Sequence, residues 1–478
     1  MGADAWPTKP PRGCRHRRDD VVAAFDLAGP AGVLWPAAGP VMPAGAAPAR
    51  AGFGGVFAVG EFRVLWGSVV LSATGDRLAL VAVAVLVYGR TGSPLLAAVA
   101  FAAGYLPWLA GGVFLSRLAD RWPRRGVMVG CDVVRAVLVA VMTVPGVPLG
   151  VLIGLLFAAT VFSPPFEAAR SALLPDVLAG ERYALGAAVI QTTYLTAEVA
   201  GAAAGGVTVA VAGVRAALVI DAATFAASGL LIGLGTRARP APGAGPEESV
   251  SPLAGAVAGV RLLFGDRPLR TVAGFGWLVA FYAVPQGVAA PYAAALGGGP
   301  AAAGLVLAST AAATAVGTPL FARFVRPRRR SALMGPLAAL ACATLVLTGF
   351  GPGLVVSLVI FSASAAFGSY QIAANTAFVA RVPAAHRAQA FGVAAAGVVV
   401  GQGAGFILAG AAADLVSPAT VIAVAGALGA VTAVALTRSW RQVEPAGGRH
   451  AARRVPGRAA GARRAAGWVP AHARQPVT

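Results

Sequence analysis

From residue 63 onward the chain alternates between long apolar runs and short polar breaks. An α-helix needs about 20 apolar residues to cross the hydrocarbon core of a bilayer. The pattern therefore predicts spanning helices at 63–88, 94–118, 126–145, 148–174, 183–211 and 215–235, and a second set at 269–294, 301–324, 331–350, 353–379, 388–412 and 418–437. The two sets are separated by a polar stretch, 236–268, containing RARPAPGAGPEE; its later part, Pro252 to Phe264, predicts a short surface helix. Residues 1–60 are a low-complexity lead. Arg12, Arg15, Arg17 and Arg18 precede the apolar Val21 to Phe25, but Asp26 and Pro30 interrupt it and no cleavage site follows. A disordered cytoplasmic tail is expected there, not a signal peptide, with Met42 as an alternative start. The basic segment 438–478 lacks apolar periodicity and is also expected to be disordered. The domain division is thus 1–60 tail, 61–235 first half, 236–268 linker, 269–437 second half and 438–478 tail.

The charge in the breaks is one-sided. Breaks after even-numbered runs carry eighteen arginines, from Arg117, Arg121, Arg124 and Arg125 through Arg170 and Arg182 to Arg381 and Arg387; breaks after odd-numbered runs carry only Arg90 and Arg215. Basic loops stay on the cytoplasmic side, so both termini are predicted to be cytoplasmic. The same pattern explains the net charge of +20 without nucleic acid, because the arginines lie in short clusters between spanning runs. With 58% apolar and 12% charged residues, and a mean hydropathy of +0.75, the chain has too little charge to cover a soluble surface.

Some chemistries are excluded. Cys14, Cys131 and Cys342 are far apart and have no metal-ligand spacing. His16, His386, His450 and His472 fall in tails or a loop, so no histidine proton relay crosses the membrane. The only lysine, Lys9, is followed by proline, which rules out a P-loop. No cofactor, metal or enzymatic activity is expected, and energy must come from an ion gradient or a partner.

The two sets repeat each other. Ala168-Ala169-Arg170-Ser171-Ala172 aligns with Ala373-Ala374-Asn375-Thr376-Ala377, and at the same offset Arg182 falls on Arg387. The fifth run carries Gly201 and Gly205, and the eleventh Gly401 and Gly405. Repeats six helices apart share an orientation, which places a substrate site near the midplane between the halves. The fold class predicted is an all-α membrane protein of 12 transmembrane helices in two six-helix pseudo-repeats.

Ionisable groups inside the runs carry the functional argument, since a charge at bilayer centre costs about 3 kcal/mol or more unless it faces a cavity or a partner. Asp76 and Arg77 are adjacent in the first run and point in different directions. Asp132 and Arg135, at i,i+3 spacing, suit a structural ion pair. Asp221 lies about two turns from the outer end of the sixth run, as a packing carboxylate or a functional one. Glu198, in the middle of the fifth run, has no charge at i±3 or i±4. Apolar surroundings favour the protonated carboxyl. Two readings follow: a carboxyl exchanging a proton for a cationic substrate, or a protonated carboxyl bonded to a neighbouring helix. Gln191, Tyr194, Tyr282, Gln286, Gln371, Asn375 and Gln402 are candidates to line a cavity or to bond between helices. Few fixed charges and several aromatics suit a bulky lipophilic ligand; an anion carrier needs central arginines, and only Arg77 and Arg135 qualify.

Gly112 to Arg125, reading GVFLSRLADRWPRR, joins the second and third runs. It resembles the signature loop of the major facilitator superfamily, G-x-x-x-D-R-x-G-R-R. Asp120, Arg121, Arg124 and Arg125 match, while Ser116 and Pro123 replace the two glycines. The second copy is degraded to Ala322-Arg323-Phe324. Gly201-Ala202-Ala203-Ala204-Gly205-Gly206 resembles the antiporter motif of drug exporters in that superfamily, with Ala202 in the proline position; Gly201, Gly205 and Gly206 are the close-packing residues. Glu61 to Pro94, Ala172 to Asp176 (ALLPD) and Asp221 to Phe225 resemble the macrolide-efflux and enterobactin-exporter branch. The resemblance covers roughly residues 61–437. It implies the major facilitator fold in a bacterial plasma membrane, working as a monomer. It also implies export of amphipathic small molecules by alternating access, in exchange for protons, with Asp120 and its neighbouring arginines latching the cytoplasmic side. Asp76 and Asp221 match branch positions, whereas Glu198 stands where the branch varies. The alternatives are an importer of a small metabolite and a non-transporting scaffold or sensor.

Overall fold

A computed structural model of the protein describes residues 25–26, 35–36, 53–108, 122–239, 252–383 and 386–443. These residues are helical apart from turns and one short antiparallel pairing of Phe25–Asp26 with Trp35–Pro36. Helix dominates because a chain immersed in hydrocarbon must satisfy its backbone polar groups within each segment. Large apolar side chains point away from the protein: Val211, Leu234, Phe350, Val355, Leu408 and Val431 are each at least 70% exposed.

A short helix, Phe53–Phe57, precedes the first long one, Gly60–Thr91, which ends at Gly92 in the left-handed region. Ser93 caps the next helix, Pro94–Ala102, by accepting from the Leu96 amide. Arg124–Met142 follows, then Leu149–Val161 running into Ser163–Val177. Glu181–Gly235 is two helices that meet at Gly213, whose φ of 82° and ψ of 168° suit glycine alone. Glu61 accepts from the Arg237 amide and the Arg239 guanidinium, which ties the start of the linker to the first helix.

The surface helix of the linker spans Pro252–Gly265. The seventh run is expected as one helix but is broken into Arg267–Trp277, Val279–Tyr282, Val284–Gly287 and Ala289–Ala295, with a bend of 47° before the last piece. Pro285 and Gly287 lie at this break and weaken the helix there. Pro300–Phe324, Pro327–Ala343 with its 3-10 extension Thr344–Phe350, Leu354–Phe367 leading to Gln371–Val379, Arg387–Ala413 and Pro418–Val443 complete the second half.

Among the described residues eight helices are long and apolar enough to cross a membrane, or nine if the bent pair is one crossing. The difference from the twelve runs has three sources. Glu181–Gly235 counts once although Gly213 divides it. Arg124–Met142 carries Arg124, Arg125, Asp132 and Arg135. The second run is described only as far as Trp108.

Within the first half, Gly201 and Gly205 press against the first helix: a Cβ on Gly201 would lie 2.7 Å from the Thr74 carbonyl oxygen, and one on Gly205 would lie 3.0 Å from Leu78 Cα. The halves meet near the turns at Gly92, Gly213 and Gly297. There Gly206 lies against Gly304, Gly410 against the backbone of Pro94, and Ser93 Oγ donates to Asp414 at 3.2 Å.

Candidate functional site

Helices of the first half line an open cavity of about 1070 Å³, solvent at its mouth included. Asp76 and Arg77, Trp108, Arg135, Glu167, Glu198 and Asp221 reach its wall from successive helices. Neighbouring side chains on a helix diverge by about 100°, so Asp76 and Arg77 serve different partners. Asp76 pairs with Arg135. Arg77 Nη2 lies 3.5 Å from Glu198 Oε1, and Arg77 Nη1 donates to the Tyr105 hydroxyl at 3.0 Å. Glu198 lacks a charged neighbour on its own helix, and the first helix supplies one.

The i,i+3 pair expected of Asp132 and Arg135 is stretched to 4.0 Å, because Arg135 turns across to Asp76. Asp132 accepts from Ser228 Oγ at 2.6 Å and has no exposed side-chain surface. The Arg135 guanidinium also covers the Phe225 ring at 3.9 Å. Asp221 is 1% exposed on the same wall and packs against Gly75, where a Cβ would come within 2.3 Å of Asp221 Oδ1. Its neighbour Thr224 lies 3.4 Å from the same oxygen.

One charge cluster escapes the sequence reading. Glu167 accepts from Arg170 Nε at 3.1 Å and from the Tyr194 hydroxyl. Arg170, assigned from sequence to a topology-setting loop, is instead 2% exposed inside Ser163–Val177, because Glu167 one turn earlier neutralises it. Their i,i+3 spacing was a visible signal for this pair.

The second half lines an open cavity of about 930 Å³, solvent at its mouth included, with Tyr282, Gln286, Thr310, Thr314, Gln371 and Gln402 among the lining residues. Gln371 Nε2 donates to the Gly276 carbonyl at 3.1 Å and to the Tyr282 hydroxyl at 3.2 Å. Gln402 is 1% exposed, and its Oε1 has no partner among the described residues. Gln191 is buried with both amide atoms unpartnered among the described residues, and Asn375 is half-buried; neither lines these two cavities. Leu195 and Glu198 line both cavities, so the fifth helix forms the partition between them.

The family model for the Major Facilitator Superfamily matches residues 65–290 and 283–476. The chain belongs to the major facilitator superfamily. Solved structures of transporters share the fold. A POT family transporter in complex with 5-aminolevulinic acid has a TM-score of 0.64 at 13% identity, over 82% of this chain and 98% of that one. The nucleoside transporter NupG has 0.64 at 14%, over 80% and 99%. A bacterial homolog of the human lysosomal transporter Spinster, inward-facing and unoccupied, has 0.55 at 16%, over 80% and 95%. No curated protein matches by sequence.

In this major facilitator chain, Asp120 and Arg121 of the signature loop lie outside the described residues. The other two motif positions are described. Arg124 Nη1 donates to the Ala172 carbonyl at 2.7 Å and to Asp176 Oδ2 at 2.6 Å, while Arg125 donates to the Gly233 carbonyl. These bonds tie the start of the third helix to the ends of the fourth and sixth. The helix-5 glycines divide their work: Gly201 and Gly205 face the first helix, and Gly206 faces Gly304 of the opposite half.

Proposed function

We propose that the protein exports amphipathic small molecules by alternating access in exchange for protons. In this reading it is a monomer in a bacterial plasma membrane. Twelve helices cross, both termini are cytoplasmic, and residues 61–235 rock against 269–437 around a midplane site. The resemblance of Glu61 to Pro94 to the macrolide-efflux and enterobactin-exporter branch supports export.

The observation that carries the reading is the place of Glu198. It forms part of the wall of both cavities and is held by Arg77. A group shared by two rocking bodies changes its surroundings with every cycle. A carboxyl there, with Asp76 and Asp221 nearby in the first cavity, can hold a proton in one state and yield it in the other.

The similar solved structures include a transporter in complex with 5-aminolevulinic acid and a nucleoside transporter, so direction is part of the test. Everted membrane vesicles carrying the protein are energised and followed with a pH-sensitive dye while lipophilic compounds are added. Collapse of the proton gradient with wild type and its loss in Glu198→Gln is the expected result. Asp76→Asn, which frees Arg135, is expected to lower the response as well. Gradient collapse that survives Glu198→Gln would remove the shared carboxyl from the mechanism. Uptake into intact cells driven by the gradient would favour an importer.

A further inference from the structure

The basic groups at the linker end of the two halves are matched differently. In the first half and at the start of the linker, Arg124 meets Asp176, Arg239 meets Glu61, and Arg125 donates to the Gly233 carbonyl. From Pro252 to Val443 the chain has only two acidic residues, Asp266 and Asp414. Asp414 is at the opposite end, where Ser93 donates to it. Asp266 caps the helix Arg267–Trp277 by accepting from the Leu269 amide at 3.4 Å. Arg261, Arg267, Arg270, Arg438 and Arg441 are exposed, and none lies within 4.0 Å of a carboxylate among the described residues. The positive-inside rule counts arginines and is nearly blind to carboxylates. Topology therefore asks for these basic residues but not for their want of acidic partners.

The five arginines are gathered in one corner. Arg267 Nη2 donates to Gln442 Oε1 at 2.9 Å, and Thr271 Oγ1 bonds with Ser439 Oγ at 3.3 Å, so the start of the seventh run lies along the end of the twelfth. The surface helix Pro252–Gly265 leads directly into Arg267. It rests on the start of Arg387–Ala413, where a Cβ on Gly259 would lie 2.6 Å from the Gln389 carbonyl oxygen, and its Leu263 is fully buried. Its outer face does not turn polar as a water-facing one does. Val257, Val260 and Phe264 are 43%, 43% and 47% exposed. At 100° per residue they fall within an arc of about 60°, and Arg261 stands about 40° further round. An apolar arc bordered by guanidinium groups suits a helix lying in the headgroup layer of a bilayer, where acyl chains cover the arc and phosphates meet the arginines.

We infer that this corner of the second half is a binding seat for anionic phospholipid. Arg261, Arg267 and Arg270 hold the headgroup phosphate, Arg438 and Arg441 add positive charge, and the acyl chains lie over Val257, Val260 and Phe264. A zwitterionic headgroup brings its own cation and gains less from the site. A soluble acidic partner would meet the guanidinium groups but leave the apolar arc uncovered. The seat depends on the chain crossing a bilayer, and not on export, direction or protons.

Purified full-length protein in neutral detergent is titrated with phosphatidylglycerol, with phosphatidylcholine of the same acyl chains, with glycerol phosphate and with polyglutamate. Native mass spectrometry counts bound lipid, and the melting temperature without added lipid reports folding. Wild type is expected to bind phosphatidylglycerol at least about tenfold more tightly than phosphatidylcholine, and the preference is expected to shrink as salt rises. Arg261→Gln, Arg267→Gln and Arg270→Gln together are expected to remove the preference. Arg323→Gln, Arg326→Gln and Arg329→Gln together take the same charge from exposed positions between the eighth and ninth runs and are expected to keep it. Lysine at 261, 267 and 270 retains the charge and is expected to retain most of the preference, which separates lost charge from lost fold. Phe264→Ser, at an exposed position, is expected to weaken phosphatidylglycerol about tenfold. Equal binding of the two lipids, equal loss from both glutamine triples, or loss from neither overturns the inference. So does glycerol phosphate or polyglutamate binding as tightly as phosphatidylglycerol: the first would make the corner a free-anion site, the second a docking face for an acidic protein.

Discussion

Gly206 and Gly304 meet backbone to backbone across the two halves: a Cβ on either would lie 2.8 Å from the other's Cα. Backbone cannot swing aside as a side-chain tip can, so bulk at this point must part the helices. Gly206→Leu is expected to hold the halves open at that end. The check is a cysteine placed at Gln286, which lines the second cavity, in a background lacking the native cysteines. Its labelling by an impermeant maleimide from that side should rise about tenfold or more over the same cysteine with Gly206 intact, a shift of about 1.4 kcal/mol in the equilibrium. Unchanged labelling would mean the glycines only fill space.

Gly75 makes room for Asp221 and Thr224, whose oxygens would lie 2.3 and 2.2 Å from a Cβ placed there. Those atoms are side-chain ends and can rotate, so Gly75→Ala is expected to fold at a cost of about 1–3 kcal/mol. Asp221 must turn away from its seat. Thermal unfolding in detergent reads the first effect and gradient collapse in everted vesicles reads the second; a stable variant with a normal response would separate Gly75 from the site.

Arg135 reaches two carboxylates, with Asp76 paired to it and Asp132 4.0 Å away. Removing it leaves buried negative charge unmatched, which typically costs 3–5 kcal/mol. Arg135→Gln is therefore expected to unfold far more readily than wild type, and adding Asp76→Asn to recover part of the loss. A double-mutant cycle on thermal stability measures the coupling, and additivity of the two changes would sink the idea of a shared network.

Gly213 has open space around it, so a Cβ would touch nothing within 4 Å, yet its φ of 82° and ψ of 168° are closed to other residues. Gly213→Ala should lose about 1–3 kcal/mol through the backbone alone. Gly154 has equally open surroundings but lies inside the regular helix Leu149–Val161. Gly154→Ala should gain about 0.5–1 kcal/mol. Opposite shifts in melting temperature check the pair.

Hydrophobic periodicity made the helical segments legible, because spanning length and basic loops are properties of single stretches of chain. The site was legible only in part. Asp76, Arg77, Glu198 and Asp221 stood out as charges in apolar runs, but their pairing depends on which helices are neighbours, and a one-dimensional pattern is silent on that. Arg135 shows the limit: local spacing pointed to Asp132, and a closer partner came from 59 residues away. Tyr105 and Glu167 were overlooked for different reasons. The tyrosine becomes polar machinery only through Arg77. Glu167 lay about two turns inside the run expected at 148–174, and its Arg170 spacing was there to be read. The breaks in the seventh run were hidden because Pro285 and Gly287 interrupt helix geometry without lowering hydropathy.

At the end where Gly92, Gly213, Gly297 and Gly351 turn the chain, no connection between described helices is longer than the six residues Thr143 to Pro148, and helices five and six share a single residue. Such a face offers almost no handle. A tag or epitope inserted there has to break a turn, whereas the linker end has chain to spare. An outside protein seeking to inhibit this one has little to grip except the seam between the two halves.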